Sequence, residues 1–153
     1  MSTLVLADLN FGEMSHDSIH KVQELEAFNA THEQADIHTH HLIHAGMYAR
    51  TILVPAGVVL TGALIKTATT LIISGKVAVW ANDQEYDLEG YHVIPASKHR
   101  KQAFVAIEDT HVTMIFATDA RTVRDAEDEF TDEGDKLMSR RDPSTNTIIV
   151  TGD

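Results

Sequence analysis

The chain has 153 residues, 43% hydrophobic and 23% charged, a size and composition suited to one globular domain around one core. Twelve basic and 23 acidic residues give a net charge of −11, which repels phosphate backbones and anionic headgroups, so neither nucleic acid nor membrane is an expected partner. The absence of cysteine excludes disulfides, thiolate nucleophiles and Cys-ligated metal centres, leaving His, Asp and Glu as metal-ligating types.

No stretch reaches the roughly 18 to 20 apolar residues of a membrane span. The opening MSTLVLADLNF lacks a basic n-region and an apolar h-region of adequate length, and a cytoplasmic location is the expectation. From Ser15 to Asn29, apolar Ile19, Val22, Leu25 and Phe28 recur three apart. This spacing predicts a short amphipathic helix capped by Asp17 or Ser18. From His38 to Thr118 the chain becomes a series of short β-branched runs: YARTILVP, VVLTGALI, TTLIISG, KVAVWA, QEYDLEG, YHVIPA, QAFVAIED and THVTMIFAT. These are eight candidate strands. Their separators, among them Gly75–Lys76, Gly90 and Ala96–Lys101, leave no room for helical crossovers between most neighbours, so an antiparallel sandwich or barrel is predicted. Helical spacing returns at Val123, Ala126 and Phe130, with Asp119 or Thr122 to cap and Gly134 to stop. After the polar SRRDPST, the segment TNTIIVTGD reads as a strand that docks on its own sheet or on a neighbouring subunit.

Histidine carries most of the available site chemistry. His38, His40, His41 and His44 lie within HTHHLIH, six residues after His32. On an extended chain His38 and His40 face one side and His41 the other, so a metal site needs further ligands from His92, His99 or His111. The competing reading is a histidine-rich strand edge. His16-Asp-Ser-Ile-His20 imitates H-E-x-x-H at helical spacing, but Asp17 stands where the general-base Glu belongs, and a surface helix is preferred. Asn29-Ala-Thr31 fits a glycosylation acceptor and is set aside for want of a signal peptide. Seven carboxylates between Asp125 and Asp135 do not fall into EF-hand register and read as a solvated helix face or a docking surface for a basic partner. Neither a nucleophile elbow nor a phosphate-cradling glycine loop occurs.

Pro55-Ala-Gly57-Val-Val-Leu-Thr-Gly62 through Ser74-Gly75 resembles the first motif of the cupin superfamily, and Gly90-Tyr-His-Val-Ile-Pro95-Ala-Ser-Lys-His99-Arg100 resembles the second. The likeness spans about Ala45 to Thr118, and the whole is similar to small single-cupin proteins of proteobacteria and tailed phages. It implies an all-β, RmlC-like jelly-roll barrel, with a core over about 45–118, an N-terminal helical segment over about 15–29, and a C-terminal helix and tail over 119–153. The departures are chemical. Metal-binding cupins carry two His and a Glu in the first motif, whereas no His, Asp or Glu lies between Gly57 and Gly75. Lys66 stands in that interval, and His99 is one place out of register in the second motif. No metal is therefore expected at the usual positions; a displaced divalent transition-metal site would draw on His38, His40, His41, His92 and His99.

The resemblance leaves a barrel mouth as a pocket for a small ligand, with Tyr48, Arg50, Lys66, Trp80, His92, His99, Arg100 and His111 as candidate lining groups. Arg50 or Arg100 suits a small anion through paired N–H donors. Lys66 is a fixed cation if it points inward, and one step of register places it in solvent. The favoured reading is a degenerate, metal-free cupin that binds a small ligand or serves as an assembly module, homodimeric, and located in a host cytoplasm if phage-encoded. The alternatives are a metal-dependent oxygenase or isomerase, an acidic regulator, and a metal-independent epimerase with His99 or His111 as base and Tyr48 as acid.

Overall fold

The computed structural model describes residues 9–153. Helix α1, His16–Asn29, is capped by Ser15, whose hydroxyl accepts from the Ser18 N–H at 3.1 Å. Asp17 and Ser18 therefore fall inside the helix rather than at its cap. Ile19 and Val22 are buried against the barrel with Met14 and Ala103, while Phe28, 63% exposed, is off the contact stripe.

Eight strands follow. They are β1 Thr39–His44, β2 Met47–Val54, β3 Val59–Thr61, β4 Thr69–Ala81, β5 Gln84–Ala96, β6 Ala103–Ala106, β7 Thr110–Ala117 and β8 Asn146–Val150. The strand order is β3-β6-β4-β7-β2-β1-β8, with β5 on the other side of β4. The pairs β2–β7, β3–β6 and β4–β5 are nested and antiparallel, the pattern of one long hairpin rolled into a jelly roll. The outermost pair, β1–β8, is parallel because the chain first passes through α2, Val123–Phe130, and α3, Met138–Arg141, before returning. The terminal strand thus docks on its own sheet.

Two of the expected strand breaks are bends. TTLIISG and KVAVWA form the single strand β4, and QEYDLEG and YHVIPA form β5. Gly75 and Gly90 lie opposite each other at the middle of this pair, with φ of +149° and +87°. Such angles are open to glycine at little cost, so the ribbon turns a corner without losing register. Up to Ser74, β4 pairs with β7, and from Val77 onward it pairs with β6. The corner is where β4 exchanges neighbours.

The inward-facing residues Tyr48, Val54, Leu71, Ile73, Val77, Val79, Ile94, Phe104 and Phe116 make one continuous core. Alternation along β1 and β7 places their other residues outside. Thr122 caps α2 by accepting from the Asp125 N–H at 3.2 Å, and the helix ends at Thr131, short of Gly134.

Candidate functional site

The rolled sheet does not fill its own mouth. A cavity of about 780 Å³ lies between the sheet, α1 and the segment 135–141. Its walls are largely apolar: Ile52 from β2, Leu60 from β3, Leu71 from β4, Phe104 from β6, Val112 and Met114 from β7, and Leu137 and Met138 beyond α2.

Arg50 and Arg100 both line this cavity, but their surroundings differ. Arg50 Nη1 donates to Glu127 Oε2 at 2.8 Å and to Tyr48 Oη at 3.2 Å, and its guanidinium lies 5.4 Å from the Phe130 ring centroid. Glu127, 2% exposed in its side chain, also accepts from Arg140 Nε at 2.9 Å and from the Ser139 hydroxyl. Burial opposes its ionisation, yet the Ser139 and arginine donors win, and its carboxyl is held below the usual range. Arg50 is therefore already neutralised.

Arg100 is 1% exposed. It donates from Nε to Gln102 Oε1 at 3.3 Å, from Nη1 to the Ser97 and Thr67 carbonyls, and from Nη2 to Thr69 Oγ1 at 2.7 Å. Every one of these acceptors is uncharged. Burial pulls its pKa down to about 10, so it remains a cation at neutral pH. Among the described residues, no carboxylate forms an ion pair with it.

Three buried side-chain polar atoms have no hydrogen-bond partner among the described residues: Asn29 Nδ2, Thr39 Oγ1 and Gln102 Nε2. All three residues line the cavity. None stands out in the sequence, because Gln102 follows the polar run His99–Lys101 that reads as a turn, and Thr39 sits among histidines. Yet Arg100 and Lys101 are buried, the latter held by Glu26 and Glu133 at 2.9 Å each.

The other candidates are dispersed. Tyr48 is buried beneath Arg50. Lys66, 44% exposed in its side chain, reaches outward to Asp132 at 2.6 Å, so its register is the solvent-facing one. Trp80 lines a separate 260 Å³ pocket with Met14, Lys21 and Val22. His92 Nε2 meets the Glu89 carbonyl at 2.9 Å, His99 packs edge-on to His16 with ring centroids 5.4 Å apart, and His111 is on the exposed face of β7. His99, His111 and Tyr48 are on different elements and share no contact that would make an acid–base pair.

His41 points inward and both its ring nitrogens are engaged. Asn146 Nδ2 donates to the Ser139 carbonyl at 2.8 Å, so Asn146 Oδ1 accepts from His41 Nε2–H at 2.8 Å, and His41 Nδ1 accepts from the Tyr48 hydroxyl at 2.7 Å. Burial lowers its pKa. His40 and His44 face outward from the same strand. His41 is held by these structural bonds, and no three His, Asp or Glu side chains group as ligands among the described residues.

Most of the acidic run is exposed, as a solvated face would be, but several of its carboxylates have partners within the chain. Besides Glu127, Asp128 pairs with Arg140, Glu129 accepts from Thr118, Asp132 pairs with Lys66, and Glu133 pairs with Lys101 and Lys136. The pairs with Lys66 and Lys101 also tie the C-terminal segment to the barrel.

The sequence matches no protein-family model and no curated protein. Among solved structures, the chain is similar to ectoine synthase from P. lautus at 14% identity and a TM-score of 0.49, over 65% of this chain and 76% of that one. It is similar to a cupin superfamily protein from Desulfitobacterium hafniense at 16% and 0.45, over 57% and 83%. A cupin 2 conserved barrel domain protein from Salinispora arenicola stands at 12% and 0.46, over 60% and 85%. The resemblance is one of fold, and the nested strand pairing carries the jelly-roll assignment. Among the described residues no helix is long and apolar enough to cross a membrane.

Proposed function

We propose that this cupin-like module binds a small organic molecule in the cavity at the barrel mouth. The observation that carries this reading is the apolar-walled cavity itself, whose lining includes Asn29, Thr39 and Gln102, the three residues with a partnerless buried polar atom among the described residues. An unmade hydrogen bond at a buried group costs about 1–3 kcal/mol, and a bound molecule removes that cost. The volume is in the range of small-molecule sites, and apolar walls with a few fixed polar groups are their usual chemistry.

The test is native mass spectrometry of tag-free protein. The wild type is expected to carry a small molecule, one per chain, that solvent extraction releases; Leu60→Trp, which fills the cavity from β3, is expected to lose it. Identical bare masses for wild type and variant, with no compound in a metabolite panel selectively raising the wild-type Tm, would contradict the reading.

A further inference from the structure

Resting on the cavity as a binding site, we infer that its occupant is a monoanionic carboxylate with an apolar body, its head group held by Arg100 and Gln102. The guanidinium of Arg100 is buried without a carboxylate partner among the described residues, and its bonds go to the carbonyls of Ser97 and Thr67, the Thr69 hydroxyl and the Gln102 amide oxygen. A buried cation without a counter-charge is a costly arrangement. The same chain shows the alternative, since Arg50 is matched by Glu127 and Lys101 by Glu26 and Glu133. Of the buried cations, Arg100 is the one whose anion the described residues do not supply.

Gln102 extends the argument from charge to shape. Its Oε1 accepts from Arg100 Nε, which turns its amide nitrogen into the remaining free group, and that nitrogen has no acceptor. A guanidinium and an amide N–H₂ side by side offer donors only. They match an acceptor-rich, negatively charged head such as a carboxylate, which would take the one Nη2 N–H that Thr69 leaves on Arg100 together with the Gln102 amide. Around them, Leu60, Ile65, Leu71 and Phe104 line the cavity and suit a hydrocarbon or aromatic body. Arg141 and Lys136 line the cavity together with Glu26 and Asp135, so the preference for an anion rests on Arg100 and Gln102.

The net charge of −11 works against anions in general and favours cations. Preference for a carboxylate must therefore come from the local groups, and isothermal titration with octanoate, 1-octanol and octylamine separates the two. The wild type is expected to bind octanoate about tenfold or more tightly than 1-octanol, as one charge-assisted hydrogen-bonded contact implies, and to bind octylamine weakest. Arg100 also holds the Ser97 and Thr67 carbonyls, so its charge is best cancelled in place. Gln102→Glu puts a carboxylate of the same shape beside the guanidinium; it is expected to raise Tm and to abolish the octanoate preference while 1-octanol still binds. Equal affinity for octanoate and 1-octanol, a preference for octylamine, or an octanoate preference that survives Gln102→Glu overturns the inference and leaves the cavity reading standing. Failure of all three probes to bind overturns both.

Discussion

His41 shows how a residue that looks like a metal ligand in the sequence becomes a structural joint in the fold. A histidine-rich run is ambiguous because periodicity assigns faces and not partners. The partners here are Tyr48, seven residues away, and Asn146, 105 residues away, and the second contact cannot be read locally. The donors run one way, from Arg50 to Tyr48, Tyr48 to His41, His41 to Asn146 and Asn146 to the Ser139 carbonyl, so the chain of bonds requires neutral imidazole. Because burial lowers the His41 pKa from 6.5 in the folded state, the unfolded chain binds the extra proton first. The stabilisation is complete above pH 6.5 and is lost as pH falls below it. Tm of the wild type is therefore expected to drop between pH 7.5 and 5.5. His41→Gln, less stable at pH 7.5, is expected to show a shallower drop in the same thermal melts, and parallel slopes would count against this role.

At the scale of elements, the hydrophobic pattern was legible in the apolar runs but not in β1, whose alternating burial is carried by Thr39 and His41 as well as Ile43. It revealed the runs of β2 and β7 and the antiparallel class. The pattern misleads at Gly75 and Gly90, since glycine ends a strand or bends it with equal ease, and only the cross-strand partner decides. The structure explains the requirement at Gly75: a Cβ there would lie 2.7 Å from the Thr110 Cα and 2.8 Å from the Asp109 carbonyl oxygen, whereas one at Gly90 meets nothing within 4 Å. Gly75→Ala is expected to cost more than Gly90→Ala, which carries only the backbone strain of about 1–3 kcal/mol that such φ values impose. Denaturant midpoints of the two variants give the comparison, and equal costs would show that the corner is not close-packed. Helices α1 and α2 were legible as helices, whereas α3 overlaps the polar SRRDPST that reads as a connection. The α1 cap shifted to Ser15 because several hydroxyl and carboxylate residues compete there, while Thr122, one of the two caps expected, is the cap of α2. The helices' role as cavity walls left no mark in the pattern, because a face over an open cavity and a face over water look alike in composition.

The whole molecule is an acidic jelly roll whose C-terminal segment is tied back by ion pairs, while Arg100 and the three residues with partnerless buried polar atoms line the mouth. The sequence pointed to a barrel-mouth pocket and named Arg50 and Arg100 among its candidates. It did not separate them, since the Glu127 that neutralises Arg50 is 77 residues away within an acidic run that reads as solvated. Gln102, Thr39 and Asn29 were invisible because an unmade hydrogen bond has no sequence signature. The ligand site is the central claim, and an octanoate titration of isotope-labelled protein followed by two-dimensional NMR tests it most directly. The Gln102 side-chain amide and the Arg100 Nε–H resonances are expected to move together with the amides of Leu60 and Phe104, saturating at one equivalent per chain. Shifts that centre on the Trp80 pocket, or that scatter over the surface without saturating, would contradict the account.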